Sequence, residues 1–286
     1  MVATKWMTGI DHPVIAIRDM TAAHAAFERL GFTIPPRGSH IEWGTGNWCI
    51  MFPRDYLELR GIVKEGHTHN LQEFLQRRGE GLMGLAFGTE DAEASREALL
   101  ERGCHPQPVR GLTRNFELPD GWLQPRFSLC FLDERETAGL MSVVCCQHLT
   151  PELLRRPEWL KHPNRAIGVR SLTGIVADID LAAETHQRLF SASAIDRTAE
   201  RLVIDTGHGH INLGTAAEVC RQYPECKSMR TGDQDRLAVV TLESGDLKET
   251  AKTLRSAGVA FRETSEGTIA VPPQEACGLV IEFAEG

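Results

Sequence analysis

The chain has 286 residues, 42% of them apolar and 24% charged, with a formal net charge of −8. That is the balance of a globular protein long enough for one large or two ordinary cores. Basic residues are scattered, as at Arg77-Arg78 and Arg155-Arg156, with no cationic stripe, so a nucleic-acid partner is not expected.

The opening MVATKWMTGIDH holds no apolar run of signal-peptide length. No later stretch approaches the roughly 18 uninterrupted apolar residues of a membrane span. The eight cysteines include no C-x-x-C pair, and Cys145 and Cys146 are adjacent. Mostly buried, reduced thiols are the simplest reading, and the expected compartment is cytoplasmic. Cys220 and Cys226 flank a Tyr-Pro-Glu turn, without histidine or cysteine partners at zinc-finger spacing.

The first elements read as a strand from His12 to Ile17, a break at Arg18-Asp19, and a helix from Thr21 to Leu30. Asp19 or Thr21 suits the N-cap, Ala23, Phe27 and Leu30 form the apolar face, and Gly31 follows as a stop. Strands are expected from Phe32 and at "HIEWGTG", "NWCIMF" and "YLELRGI", giving β-α-β-β-β. The order returns at "MGLAFGTEDAEASREALLERGC", with strands at "RFSLCFLD" and "GLMSVVCCQHL". It returns again at "LTGIVADIDLAAETHQRLF", followed by "RLVIDTG" and "HINLGTA", and a fourth time at "RLAVVTLESGDLKETAKTLRSAGVAF", followed by "GTIAVPP" and "GLVIEFAEG". Four such openings in one order indicate an internal repeat.

Between the second and third copies, prolines 151, 157 and 163 punctuate a stretch given an apolar side by Leu153, Leu154, Trp159 and Leu160. It is too apolar for a free linker and is expected to pack on both halves. The division is therefore residues 1–150, a proline-rich junction over 151–165, and residues 166–286. No G-x-G-x-x-G or Walker pattern and no G-x-S-x-G elbow occurs.

The repeat resembles the βαβββ module of the vicinal oxygen chelate superfamily, which includes glyoxalases, bleomycin resistance proteins and dioxygenases. More closely, the chain resembles glyoxalase-like domain proteins, through Asp11-His12, "AAFERLGF", "HIEWGTGN", "YLELRGI" and "CCQHLTPELLRRPEWLKHPN". The resemblance implies an α+β fold of four βαβββ modules, paired into two curved, cup-like, open-barrel mixed sheets with helices outside. It also implies a divalent metal, Zn, Mn, Fe or Ni, held by side chains from the first and last strands of each module. His12 matches the first-strand place and Glu58 the last-strand place of module one; both would be metal ligands and catalytic. The plainer readings are a satisfied histidine at a strand mouth and, since Tyr56, Glu58 and Arg60 share one side of an alternating strand, a solvated face.

Aligning Asp19 with Asp91 sets Gly84 opposite His12, so a third ligand would come from Cys145, Cys146, Gln147 or His148, with His148 taken as the candidate. Alternatively, His12 and Glu58 bind substrate directly. In the second half Thr173 is expected at the His12 place and Asn212 at the Glu58 place, and only Glu282 is ligand-like. His208 and His210 share a strand face, where a solvated strand end is favoured over a zinc pair.

Around the first cup, His40, Trp43, Thr45, Asn47, Tyr56 and Cys130 are expected to bind substrate, with Trp48 and Phe52 as further walls. The leading reading is a metal-dependent enzyme, of lyase, isomerase or oxygenase type, acting on a small molecule with adjacent oxygens. The other is a non-catalytic drug- or toxin-binding protein, with Trp43, Trp48 and Trp122 suited to flat ligands. A homodimer is left open.

Overall fold

Four aspartates set the rhythm of the chain. Asp19, Asp91, Asp178 and Asp246 each stand just after a strand with extended backbone and accept hydrogen bonds from the first amides of the following helix. Such caps satisfy donors that a helix leaves orphaned, at about 1 kcal/mol each. Three of the four helices stop at a glycine with positive φ (Gly31, Gly103 and Gly258), while the third copy leaves its helix through extended Phe190.

The computed structural model describes residues 6–64, 66–118, 121–229 and 235–286. In the first half β1 (Gly9–Ala16), α1 (Met20–Arg29), β2 (Gly38–His40), β3 (Thr45–Met51) and β4 (Tyr56–Ile62) form module one. A short helix, α2 (Leu71–Arg78), leads to module two: β5 (Gly81–Gly88), α3 (Ala92–Glu101), β6 (Arg110–Leu118), β7 (Gly121–Leu123), β8 (Arg126–Phe131) and β9 (Ser142–His148). The second half repeats the plan with β10 (Ala166–Ile175), α4 (Ile179–Leu189), β11 (Ile195–Arg197), β12 (Arg201–Asp205) and β13 (His210–Gly214). It continues through α5 (Ala216–Gln222) to β14 (Arg236–Ser244), α6 (Leu247–Ser256), β15 (Arg262–Glu263), β16 (Ile269–Val271) and β17 (Val280–Glu285). The fold is α+β, with two mixed sheets of βαβββ modules. No helix among the described residues is long and apolar enough to cross a membrane.

The two sheets differ in closure. The first runs β2-β3-β4-β1-β5-β9-β8-β6-β7, and β2 also pairs with β6, so eight of its strands close into a barrel. That pairing sets Gly38 against Phe116 and His40 against Arg114. The second runs β11-β12-β13-β10-β14-β17-β16-β15 and stays open. Two sequence expectations shift: the strand expected from Phe32 begins only at Gly38, and β6, in a stretch assigned no strand, supplies the closing wall.

One apolar core joins the sheets, holding Phe27 and Phe87 from the first half and Phe190 and Phe283 from the second. Trp6 lies between halves, its indole N–H donating to Leu189 O at 2.7 Å and its ring edge-on to Phe87 at 5.3 Å. The proline-rich junction folds as two 3-10 turns, Pro151–Leu153 and Pro157–Trp159. His162 accepts from Thr33 N and donates to Met51 O, while Asn164 bonds Leu30 O and Ala166 N.

The "HGH" run takes a role that neither sequence reading foresaw. His208 crosses between halves, its Nε2 2.6 Å from Asp55 Oδ2, and Asp55 Oδ1 accepts from Val169 N at 2.9 Å. Ile10 N donates to His208 O, and Gly9 packs so tightly on His208 that a Cβ there would overlap it. His210 stays exposed and is not paired with His208. His208→Ala would leave the buried Asp55 carboxylate with one donor, costing about 1–3 kcal/mol. In urea unfolding, adding Asp55→Ala to His208→Ala should cost less than the two single losses summed. Strict additivity would show that the pair does not join the halves.

Candidate active site

Neighbours on a regular strand point to opposite faces. Asp11 and His12 escape that rule through a bulge: Ile10 pairs with Phe87 and His12 with Ala86, so Asp11 is an extra residue on β1. Both side chains are thereby buried together, with His12 Nδ1 2.6 Å from Asp11 Oδ2. The same Asp11 oxygen accepts from His148 Nε2 at 2.9 Å, and Arg155 Nη2 stands 3.7 Å from the other oxygen.

The opposite nitrogen of His12 faces the barrel interior. Nε2 lies 3.5 Å from Glu58 Oε2 and 3.4 Å from the Tyr56 hydroxyl, and the Tyr56 ring stacks on the imidazole at 4.2 Å. Strict alternation along β4 turns Tyr56, Glu58 and Arg60 inward, so they line the cavity rather than a solvated face. Asn47 Nδ2 donates to Glu58 Oε1 at 2.6 Å. His40 Nε2 is 3.7 Å from the same oxygen, and its Nδ1 is 2.8 Å from Thr45 Oγ1. The cavity is open at its mouth, and the space within it, adjoining solvent included, is about 450 Å³.

Of the six residues expected to bind substrate, His40, Trp43 and Tyr56 line this cavity. Thr45 and Asn47 are fully buried behind it and orient His40 and Glu58. Cys130 lies elsewhere: β8 turns it to the core shared by the two sheets, while its neighbours Leu129 and Phe131 face the cavity. Trp48 and Phe52 likewise point away, on the core side of β3 and its end. Trp122 is exposed on β7.

Sequence reasoning did not single out Arg60 and Arg114, both buried in the cavity wall. Arg114 Nη1 donates to Cys49 Sγ at 3.0 Å. The guanidinium of Arg60 lies 4.8 Å from the Trp43 ring centre, and that of Arg114 lies 4.8 Å from the Phe127 ring centre. Arg60 shares its strand parity with Glu58, and Leu112, Arg114 and Phe116 alternate with Thr113, Asn115 and Glu117. The parity of Arg60 was readable in the sequence, whereas the alternation on β6 is masked by the polarity of both its faces.

Burial opposes ionisation of Asp11, but His148 and His12 outweigh it and hold the carboxyl far below 3.8. Burial likewise opposes Glu58, yet the bond from His12 and the charges around it hold that carboxyl well below 4.5. His12 is pulled down by burial and pushed up by Asp11 and Glu58, ending above its ordinary 6.5. Burial, with Arg60 alongside, drops His40 to about 3.

The donor set tests the metal that the fold implies. Superposing the capping aspartates places Gly84 opposite His12, and a Cβ at Gly84 would collide with the Ser142 carbonyl. Val14 pairs with Glu58 and its counterpart Ala86 with Val144, so an apolar side chain stands at the second last-strand place. His148 does not complete a set with His12 and Glu58. His12 turns Nε2 to Glu58 and the opposite Nδ1 to Asp11, and only through Asp11 does it reach His148. His40 Nε2 also approaches Glu58, but His12, His40 and Glu58 do not bring three ligand atoms within 4.8 Å of one another, and with two guanidiniums beside them they do not fit a resident divalent ion, which takes three or four ligands. Behind His12, however, Asp11, Cys146 and His148 bring three potential ligand atoms within 4.8 Å of one another. Cys145 faces the core and Gln147 bonds Ala92 N and Glu90 O.

The second cup differs at the same places. Asp178 and Asp246 put Ser171 and Val239 opposite His12, and the strand pairs set Thr173 opposite Val14, Asn212 and Glu282 opposite Glu58. Thr173 is therefore one inward position away from its expected place. Glu282 accepts from the hydroxyls of Tyr223, Thr241 and Thr268 at 2.7–2.8 Å.

Residues 10–190 match the family model described as a glyoxalase-like domain. No curated protein matches the sequence. Among solved structures, a hypothetical protein from Staphylococcus aureus is 10% identical with a TM-score of 0.69, over 97% of this chain and 99% of that one. A mutant of 4-hydroxymandelate synthase from Streptomyces coelicolor is 12% identical with a TM-score of 0.62, over 98% and 94%. A xylose isomerase-like TIM barrel/4-hydroxyphenylpyruvate dioxygenase fusion protein is 12% identical with a TM-score of 0.61, over 97% of this chain and 48% of that one. At these identities the structures share the fold alone. The family match spans more than half of the sequence and begins at the bulged strand that carries His12, and the chain belongs to the glyoxalase-like domain family of the vicinal oxygen chelate superfamily.

Proposed function

We propose that the N-terminal barrel is the active site of an enzyme that moves a proton on a small molecule with adjacent oxygens, His12 and Glu58 forming the acid–base pair. The observation that carries this reading is the approach of His12 Nε2 to Glu58 Oε2, 3.5 Å apart and facing the cavity, with Nδ1 fixed by Asp11. Asp11 keeps the imidazole oriented and charged; Glu58 stays an anion. A substrate carbonyl oxygen at Nε2 receives the imidazolium proton as Glu58 removes the proton from the neighbouring carbon. Return of the two protons in the other sense completes an isomerisation with no net change in charge. Tyr56 holds the ring plane by stacking, and Asn47 fixes the carboxylate.

Solvent-deuterium exchange into a panel of α-hydroxy ketones and 2-oxo acids, followed by NMR, tests the reaction class. Glu58→Gln and His12→Gln should each slow exchange by about 10²–10⁴-fold. If nothing in the panel exchanges above the buffer rate, the barrel is a binding site without catalysis.

The same protonation states govern stability. His12 titrates higher in the fold than its ordinary 6.5, so its contribution is present below that pH and is lost as pH rises through the folded value. Asp11 and Glu58 titrate lower than 3.8 and 4.5, so theirs are present above those values and fade in acid. The melting temperature should therefore peak between pH 4.5 and 6.5 as far as this cluster decides it. His12→Gln should flatten the alkaline limb. A variant whose alkaline limb matches the wild type would show that His12 is not held charged.

A second reading rests on the convergence of Asp11, Cys146 and His148, a nitrogen, oxygen and sulfur set of the kind zinc accepts. Binding there would require Asp11 to release at least one imidazole. Elemental analysis of protein purified without chelator separates the readings. The acid–base reading expects no stoichiometric metal; one equivalent that disappears in Cys146→Ser but persists in Glu58→Gln would establish the metal site.

A further inference from the structure

The cavity wall holds two buried cations that the proton-transfer reading leaves unused. Arg60 and Arg114 are 7% and 2% exposed, and the Nε and Nη2 nitrogens of both are buried with no hydrogen-bond partner in the protein. Neither guanidinium has a carboxylate within ion-pairing distance among the described residues. The Glu58 charge reaches both from a greater distance, and buried guanidiniums without a directly paired anion are costly. Their surroundings show how they are held. Each guanidinium carbon lies over an aromatic ring, that of Arg60 over Trp43 and that of Arg114 over Phe127. The ring contacts satisfy none of the N–H groups at Nε and Nη2, which stay unmatched, and such edges are what a carboxylate takes in paired hydrogen bonds once it displaces the side chains packed over them.

Charge points the same way. Among the residues that line the cavity, Arg60 and Arg114 supply two positive charges and Glu58 one negative charge, leaving +1 without any contribution from histidine. The remaining wall is apolar and largely aromatic, with Leu112, Leu129, Phe127 and Phe131 on one side. From these edges, this charge and this wall we infer that the barrel binds a small, flat monocarboxylate, its carboxylate on Arg60 and Arg114 and its apolar body along the aromatic wall. This inference rests on the same cavity as the proposed function and names the substrate class for it; the carboxylate is docked by the arginines and not by His12 or Glu58.

Calorimetric titration with benzoate, salicylate and the neutral isostere benzamide tests it on the whole chain. Benzoate or salicylate should bind, and benzamide about 10- to 100-fold more weakly, the loss expected for a charge-assisted pair. Arg60→Gln and Arg114→Gln should each weaken benzoate by a similar factor. Arg60→Lys should recover part of the loss, because charge returns without the fork. Benzoate binding is read without turnover, so a failure of the acid–base role leaves this result standing, and the reverse also holds. The comparison of benzoate with benzamide uses wild-type protein and stays decisive if an arginine variant does not fold. Equal binding of benzoate and benzamide overturns the inference. So does absence of carboxylate binding up to about 10 mM, a range that would register even a weak pair.

Discussion

The short bond between Asp11 and His12 is the constraint on which the site depends, and it exists because β1 carries one residue too many. A regular strand would send these two side chains to opposite faces, one into the apolar core and one into the barrel. The bulge brings both to one side. β1 also lies between parallel β4 and antiparallel β5, so it cannot slide to relieve the extra residue without breaking two ladders. From that fixed point the polar cluster spreads outward. Asp11 collects His148 from β9, His12 meets Glu58 from β4, and Glu58 meets Asn47 from β3. Four strands of two modules are thus tied through side chains as well as through backbone.

The two halves share a frame and differ in what they enclose. In the first, closure through β2 and β6 surrounds a charged interior with donors left free. In the second, the Glu58 counterpart Glu282 is surrounded by three hydroxyls, one of them from Tyr223 just after α5. A carboxylate saturated by neutral donors has little capacity left for a ligand, whereas Glu58 has an oxygen directed at the open cavity. Repetition has kept the capping aspartates and the strand order while the inward positions diverged.

Much of this frame was legible in the sequence, because strand–helix openings are local: an apolar run, a capping aspartate and an amphipathic helix are all contained in some twenty residues. The inward direction of Glu58 was legible from strand parity, as was its company with Tyr56 and Arg60. Four things were not. The bulge at Asp11 has no local signature, since its cause is pairing with Phe87 and Ala86 far along the chain. β6 carries Arg110, Thr113, Arg114, Asn115 and Glu117, and this polarity hides an alternation whose buried face is itself partly charged. Cys130 and Cys146 look alike as isolated thiols, and only the register of β8 against β9 sends one to the core and the other to the cavity. His208 belongs to the same class: its partner Asp55 lies in the other half, so neither spacing nor composition could reveal the pairing.

Closure of the first sheet also decides where this protein exposes unpaired backbone. In the first sheet the three-residue β2 fills the gap between β3 and β6 in part, so Trp48–Met51 of β3 and Arg110–Thr113 of β6 each keep one strand neighbour, and β7 adds a three-residue margin. The open second sheet ends in β11, Ile195-Asp196-Arg197, and in the two-residue β15, Arg262-Glu263. Both margins are short and carry charge of both signs, a form that discourages strand addition and the growth of sheets between molecules. The open sheet is thereby blunted at its two ends, while the closed one is open only beside its short β2 seam and at β7.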